Sequence, residues 1–127
     1  MATVEDVLLR KGSDVITALP GETVRDAAAR MAQANVGAMV VEDQDEELGI
    51  VTERDFLRRV LAERRDADRS HVGQIMTSPL HTCRPSDSME ACGRKMAEHH
   101  IRHLAVLDDN GELVGLISLR DVLKAMH

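Results

Sequence analysis

GIVTERD at residues 49–55 and GLISLRD at residues 115–121 share one pattern: Gly, two apolar residues, Ser or Thr, two residues, then Asp. A shift of 65 residues places Thr17 on Thr82, Pro20 on Pro85, Val24 on Met89, Met31 on Met96 and Val36 on Ile101. With one residue added in the second copy, Gly49 falls on Gly115, Thr52 on Ser118 and Asp55 on Asp121. VEDVL at 4–8 and VGQIM at 72–76 stand ahead of the copies as matching lead-ins. The chain is therefore a repeat, and a unit of roughly 55 to 60 residues should bury its apolar face against its sister.

Each copy predicts the order strand, helix, strand, strand, helix. VIT at 15–17 and LHT at 80–82 are the first strands. Thr23 and Asp26 then have capping-box spacing, and Val24, Ala27, Ala28, Met31 and Ala34 follow the stripe of a half-buried helix. Met89, Cys92 and Met96 keep that stripe in the second copy. AMVV at 38–41 and LAVL at 104–107 are continuous apolar runs, as in strands buried on both faces. The acidic turns EDQDEE (42–47) and DDNGE (108–112) lead into LGIV (48–51) and LVGLI (113–117), which suits hairpins. Helices start near Glu53 and Leu119, the first with an apolar stripe of Phe56, Leu57, Val60 and Leu61. RRDADRS at 64–70 is charged and aperiodic and reads as a linker. The expected division is repeat one at 1–63, linker at 64–71 and repeat two at 72–127, a pseudo-two-fold α/β (α+β) pair.

Composition narrows the function. Hydrophobic residues at 43% and charged residues at 30% fit a globular domain. No apolar run approaches the ~20 residues that cross a bilayer, and MATVEDVLLRKG lacks the basic and apolar regions of a secretory signal. Cys83 and Cys92 form no CxxC pair, so a reduced, cytoplasmic setting is expected. The net charge of −6 and a single aromatic residue, Phe56, argue against nucleic-acid binding, which uses basic faces and aromatic platforms.

The two motifs sit at strand-to-helix junctions. Such a junction offers unpaired N–H groups and a positive dipole end, which suit a phosphate. The Thr52 or Ser118 hydroxyl stands where it either caps the helix or bonds a phosphate oxygen. Asp55 or Asp121, three residues on, is placed to accept from both hydroxyls of a ribose. Ser/Thr-x-x-Asp is equally a plain capping box. Two copies at equivalent repeat positions, each behind Gly and a buried strand, favour the ligand reading.

With these motifs, IMTSP at 75–79 and IRHLAVLDDNGELVGLIS at 101–118, the chain resembles the CBS domains over about Val4 to Met126. NVGAMVV (35–41) and TERDFLRRV (52–60) are similar to segments of stand-alone CBS pairs, or Bateman modules. The resemblance implies two β-α-β-β-α repeats with two clefts between them and a homodimer of such pairs. It implies ligands such as AMP, ADP, ATP, NAD(H) or S-adenosylmethionine, and a regulatory, signal-sensing role toward an unknown partner protein. Carried over by position, Asp55 and Asp121 hold ribose, and Thr52 and Ser118 touch phosphate or ribose. Ile16, Thr17, Thr82 and Cys83 edge the adenine. Val36, Gly37, Ala38 and Met39, with Ile101, Arg102, His103 and Leu104, supply aliphatic walls and backbone groups. Arg54, Arg120, Arg102 and His103 are the phosphate cations, with Arg58 a weaker one. Gly37-Ala38 against Arg102-His103 makes the clefts differ in charge.

Other signals have plainer explanations. His99 and His103 have i, i+4 spacing, but a helix end near His99 and a strand start near Arg102 separate them, so no metal site is expected. Cys92 lies on an apolar stripe, and Cys83 lines the proposed cleft. Met31, Met39, Met89 and Met96 read as core. Arg58, Arg59, Arg64 and Arg65 read as a solvated face. No nucleophile–base motif or P-loop is present, so no enzyme and no catalytic residues are expected. The alternatives are a homodimeric interaction module with vestigial nucleotide clefts, or a redox- or metal-responsive adaptor.

Overall fold

The structure is a computed structural model that describes residues 1–44 and 46–126. Asp45, within the acidic turn at 42–47, and His127, the end of repeat two, lie outside the described residues. The chain forms two compact units: a first unit of residues 16–80, and a second unit of residues 1–15 with 81–127.

In the first unit, β1 (Thr17–Ala18) pairs in parallel with β2 (Ala38–Asp43), which pairs antiparallel with β3 (Glu46–Thr52). The connection from β1 to β2 is α2 (Val24–Ala34), whose Thr23 hydroxyl accepts from the Asp26 N–H. The chain leaves β3 into α3 (Glu53–Asp55), continues as a π-helical stretch at Phe56–Leu61, and later forms α4 (Val72–Ile75). The second unit repeats the plan with β4 (Thr82–Cys83), α5 (Met89–His99), β5 (His103–Leu107), β6 (Leu113–Ser118) and α6 (Leu119–Ala125). Its added helix is α1 (Val4–Lys11). The short first strands pair one or two residues later than VIT and LHT predict. Ile16 and His81 enter the sheets through their carbonyls alone, which accept from the Val40 and Ala105 N–H groups.

Each lead-in segment packs on the sheet of the other sequence copy. Val72 and Ile75 of α4 join Val24, Ala27, Met31, Met39, Val41, Val51 and Val60 in the first core. Val4, Val7 and Leu8 of α1 join Met89, Cys92, Met96, Leu104, Val106, Ile117 and Val122 in the second. Helix N-termini leave backbone donors unpaired, and here paired helices satisfy one another. Val24 N–H donates to the Ser70 carbonyl and Val72 N–H to that of Glu22. In the second unit Met89 N–H donates to Ala2 and Val4 N–H to Asp87.

Met31, Met39, Met89 and Met96 are buried, as their stripes predict. Two expectations change. Of Phe56, Leu57, Val60 and Leu61, only Val60 is fully buried, while Leu57 is 60% and Leu61 70% exposed. The stretch winds as a wider π-helical turn, with Ala62 N–H on the Leu57 carbonyl. The segment 64–70 is also anchored. The Ala67 carbonyl accepts from the Arg25 N–H, Asp68 pairs with the Arg25 guanidinium, and Ser70 is buried.

The matching motif glycines meet different neighbours. A Cβ at Gly49 would lie 2.5 Å from the Thr77 carbonyl oxygen, whereas one at Gly115 would lie 2.7 Å from Leu8 Cδ2. Backbone cannot give way, but a leucine tip can rotate. Gly49→Ala is therefore expected to cost more than Gly115→Ala, the latter about 1–3 kcal/mol as ordinary overpacking. Urea unfolding of the two variants checks the order.

Candidate functional site

In the first unit, the loop before β2 and the start of α3 are joined by the Glu53 N–H donating to the Gly37 carbonyl at 3.0 Å. The register opposite Ala38 is Thr52, so Val36, Gly37, Ala38, Thr52 and Asp55 share one end of the sheet. Thr17 is in register with Val40 on the adjacent strand. Asp55 is buried, at 6% exposure. Its Oδ2 accepts from the Thr52 N–H at 2.9 Å and from Thr52 Oγ1 at 3.3 Å. Oδ1 accepts from Thr77 Oγ1 at 3.0 Å, with Arg59 Nε at 3.7 Å. Arg59 is held in turn by the Met76 carbonyl.

The second unit repeats the junction. Leu119 N–H donates to the Arg102 carbonyl at 2.8 Å, and His103 pairs in register with Ser118. Thr82 lies beside Ala105. Here the capping box is complete: Asp121 N–H donates to Ser118 Oγ at 3.2 Å, and Ser118 N–H to Asp121 Oδ2 at 2.8 Å. Lys11, the last residue of α1, places Nζ 2.8 Å from Asp121 Oδ2 and 2.9 Å from the Leu116 carbonyl oxygen. Burial pulls the Asp121 carboxyl upward, but the Lys11 ammonium and the Ser118 N–H outweigh it and leave it below 3.8.

Within each unit the structure thus brings together the residues that the repeat singles out. Three side chains point elsewhere than the sequence reading assumed. Met39 and Leu104 are 0% exposed and belong to the cores, so those positions offer backbone groups only. Cys83 is 6% exposed, inside the second core, and does not line a ligand surface with its side chain. A hydrogen bond with Cys92, then burial, pushes the Cys83 thiol up. Ile16 and Ile101 are half-buried against the two cores. Arg54, Arg102 and Arg120 are exposed and make no ion pair among the described residues.

Sequence reasoning missed Lys11, Thr77 and Arg59. The Thr77 signal was present in IMTSP, but Lys11 lies far from Asp121 in sequence, and Arg59 was grouped with a solvated basic run. His99 ends α5 and stacks on His81 at 4.3 Å between ring centroids, away from a shared helical face with His103. Among the described residues no group of three His, Cys, Asp or Glu converges to hold a metal, and no helix is long and apolar enough to cross a membrane.

Comparison with known proteins matches two CBS domains, at residues 4–62 and 72–127. The mitochondrial CBS domain-containing protein CBSX3 of Arabidopsis thaliana is 35% identical over 98% of this chain and 64% of its own length. The chain spans less than two thirds of the first curated relatives that it matches, 57% and 64%. A proposed signal-transduction protein with CBS domains from Burkholderia ambifaria superposes with a TM-score of 0.93 at 40% identity, covering 98% of this chain and 93% of that one. The CBS domain protein PAE2072 from Pyrobaculum aerophilum, complexed with AMP, gives a TM-score of 0.83 at 32% identity, covering 94% and 89%.

The depressed carboxyl of Asp121 has a pH consequence. A group whose folded value lies below its unfolded value stabilises the fold above the unfolded value, here 3.8, and that contribution disappears as pH falls through the folded value. Between about pH 5 and about pH 1 the wild type should therefore lose more stability than Asp121→Asn, whose amide does not titrate in that range. Urea midpoints across the range, compared between the two proteins, test the difference.

Proposed function

We propose that this chain, which belongs to the CBS-domain family, is a regulatory module that binds an adenine nucleotide and signals its occupancy to a partner protein. The observation that carries the reading is that a relative 32% identical across 94% of this chain is complexed with AMP. The hydroxyl–carboxylate pair of the strand-to-helix junction also stands in both units, as Thr52 with Asp55 and Ser118 with Asp121.

In this reading Asp55 and Asp121 accept from ribose hydroxyls, and Thr52 and Ser118 bond ribose or phosphate. Thr17 and Thr82, with backbone groups of 36–39 and 101–104, meet the adenine. Arg54, Arg102, His103 and Arg120 attract the phosphate. AMP, ADP, ATP and NAD(H) all present the adenosine part that these residues address. Hydrogen bonds to charged groups contribute about 1.5–3 kcal/mol each, so two to a carboxylate supply a large share of the ~8 kcal/mol of micromolar binding. Occupancy is reported by population shift: the arrangement that binds nucleotide better becomes dominant. The module performs no chemistry on its ligand and acts in a reducing, cytoplasmic setting.

The working assembly is a homodimer. Leu57 and Leu123 occupy matching repeat positions on the helices that follow the two motifs, and they are 60% and 53% exposed, with Leu61 at 70%. Exposed leucines at matching positions in both repeats fit a symmetric self-association surface. The pair Leu61→Glu with Leu123→Glu is expected to shift the protein from dimer to monomer in sedimentation while each unit stays folded.

A second reading is favoured by the capping boxes, which by themselves account for Ser/Thr and Asp at both junctions: an interaction module without a nucleotide. Thermal melts separate the two. At 100 times its Kd a nucleotide adds about 2.7 kcal/mol, so AMP, ATP or NAD should raise the melting temperature of the wild type. Asp55→Ala with Asp121→Ala should abolish that rise. No rise with any adenine nucleotide overturns the nucleotide reading and favours the interaction module instead.

A further inference from the structure

Lys11 and Thr77 make corresponding contacts in the two units and differ in charge. Thr77 N–H donates to the Ile50 carbonyl at 2.8 Å, and its hydroxyl donates to Asp55 Oδ1 at 3.0 Å. In the second unit one ammonium makes both contacts, to the Leu116 carbonyl and to Asp121 Oδ2. Ile50 and Leu116 match in the repeat, as do Asp55 and Asp121. The carboxylate of the pair is covered, at 12% side-chain exposure, while the Lys11 side chain is 38% exposed.

We propose that Lys11 makes the second unit's site selective for a phosphorylated adenine ligand over the neutral nucleoside. The inference rests on the nucleotide-binding reading above and adds the source of its selectivity. A carboxylate oxygen has room for about two donors, and Asp121 Oδ2 already takes the Ser118 N–H and Lys11. A ribose diol that engages both oxygens must displace Lys11 from Oδ2. The displaced ammonium, on a side chain already 38% exposed, goes to water or to another anion, and a nearby anion offsets the lost 2.8 Å pair more fully than water does. A 5′-phosphate on the same ribose supplies that anion within the swing of a flexible four-carbon stem. Adenosine brings no such charge.

The first unit is built differently. Its carboxylate is tied by the neutral Thr77 hydroxyl at 3.0 Å, with Arg59 Nε farther off at 3.7 Å and held by the Met76 carbonyl. Glu53 lies over Gly37, where a Cβ would come 2.6 Å from Glu53 Oε1. The positions matching Gly37 and Glu53 are Arg102 and Leu119. One unit therefore sets an acid where the other sets a cation, and the phosphate requirement belongs to the second.

The test is calorimetric titration of the full chain with AMP and with adenosine, the second unit's site being the one lost in Asp121→Ala. In the wild type AMP should bind this site about tenfold or more tighter than adenosine, the worth of one hydrogen bond to a charged group. Lys11→Gln keeps a donor and removes the charge. It should weaken AMP about tenfold, leave adenosine equal or tighter, and so collapse the ratio between them. Lys11→Arg should preserve the ratio and serves as the fold control. Equal weakening of both ligands in Lys11→Gln would show that Lys11 only supports the fold, and the proposal fails. Failure of AMP and adenosine alike to bind the wild type overturns the nucleotide reading itself, and this proposal with it.

Discussion

The reciprocal seating of α1 and α4 is the constraint on which the rest of the protein depends. A three-stranded sheet with two helices, built from roughly 50 residues, buries too little apolar surface to be stable alone. Each unit is completed by a helix delivered from the other sequence copy, with Val4, Val7 and Leu8 filling one core and Val72 and Ile75 the other. The seating has a register as well as a hydrophobic drive. Met89 N–H reaches the Ala2 carbonyl while Val4 N–H reaches that of Asp87, so two helix starts satisfy one another's unpaired donors. The same exchange joins Val24 to Ser70 and Val72 to Glu22.

This seating also decides the surroundings of the two carboxylates. Besides Arg59, one turn further on, the residue that touches Asp55 from outside its own motif is Thr77, which follows α4, and the one that touches Asp121 is Lys11, which ends α1. Thr77 and Lys11 are carried in by the lead-in segments. The two junctions share a backbone plan, and they differ in chemistry because the lead-ins differ in sequence. A motif identical in pattern thus serves two electrostatic environments.

Capping fixes the geometry of the candidate junctions. Ser118 and Asp121 exchange capping hydrogen bonds across the start of α6, which fixes the carboxylate against rotation. A carboxylate so fixed presents its remaining acceptor positions in a defined direction, which costs a ligand less than ordering a mobile side chain. Structural capping therefore pre-organises the group.

Repeat, element order and core were set by the sequence alone, because apolar periodicity and Ser/Thr-x-x-Asp spacing are local properties. Met31, Met39, Met89 and Met96 are buried where their stripes put them, and helices begin at Glu53 and Leu119. Most of the candidate site residues were also visible, since Thr52, Asp55, Ser118 and Asp121 lie within seven-residue motifs. Long-range packing decided the rest. Cys83 turned into a core because its strand alternation faces α5, and Leu57 and Leu61 stayed exposed although their stripe includes the buried Val60. Lys11 and Asp121 stand 110 residues apart, and nothing in the spacing of either indicates the other. Only docking of α1 onto the sheet of the second copy brings that ammonium to that carboxylate, because an ion pair follows from where the helices pack and not from the order of the chain.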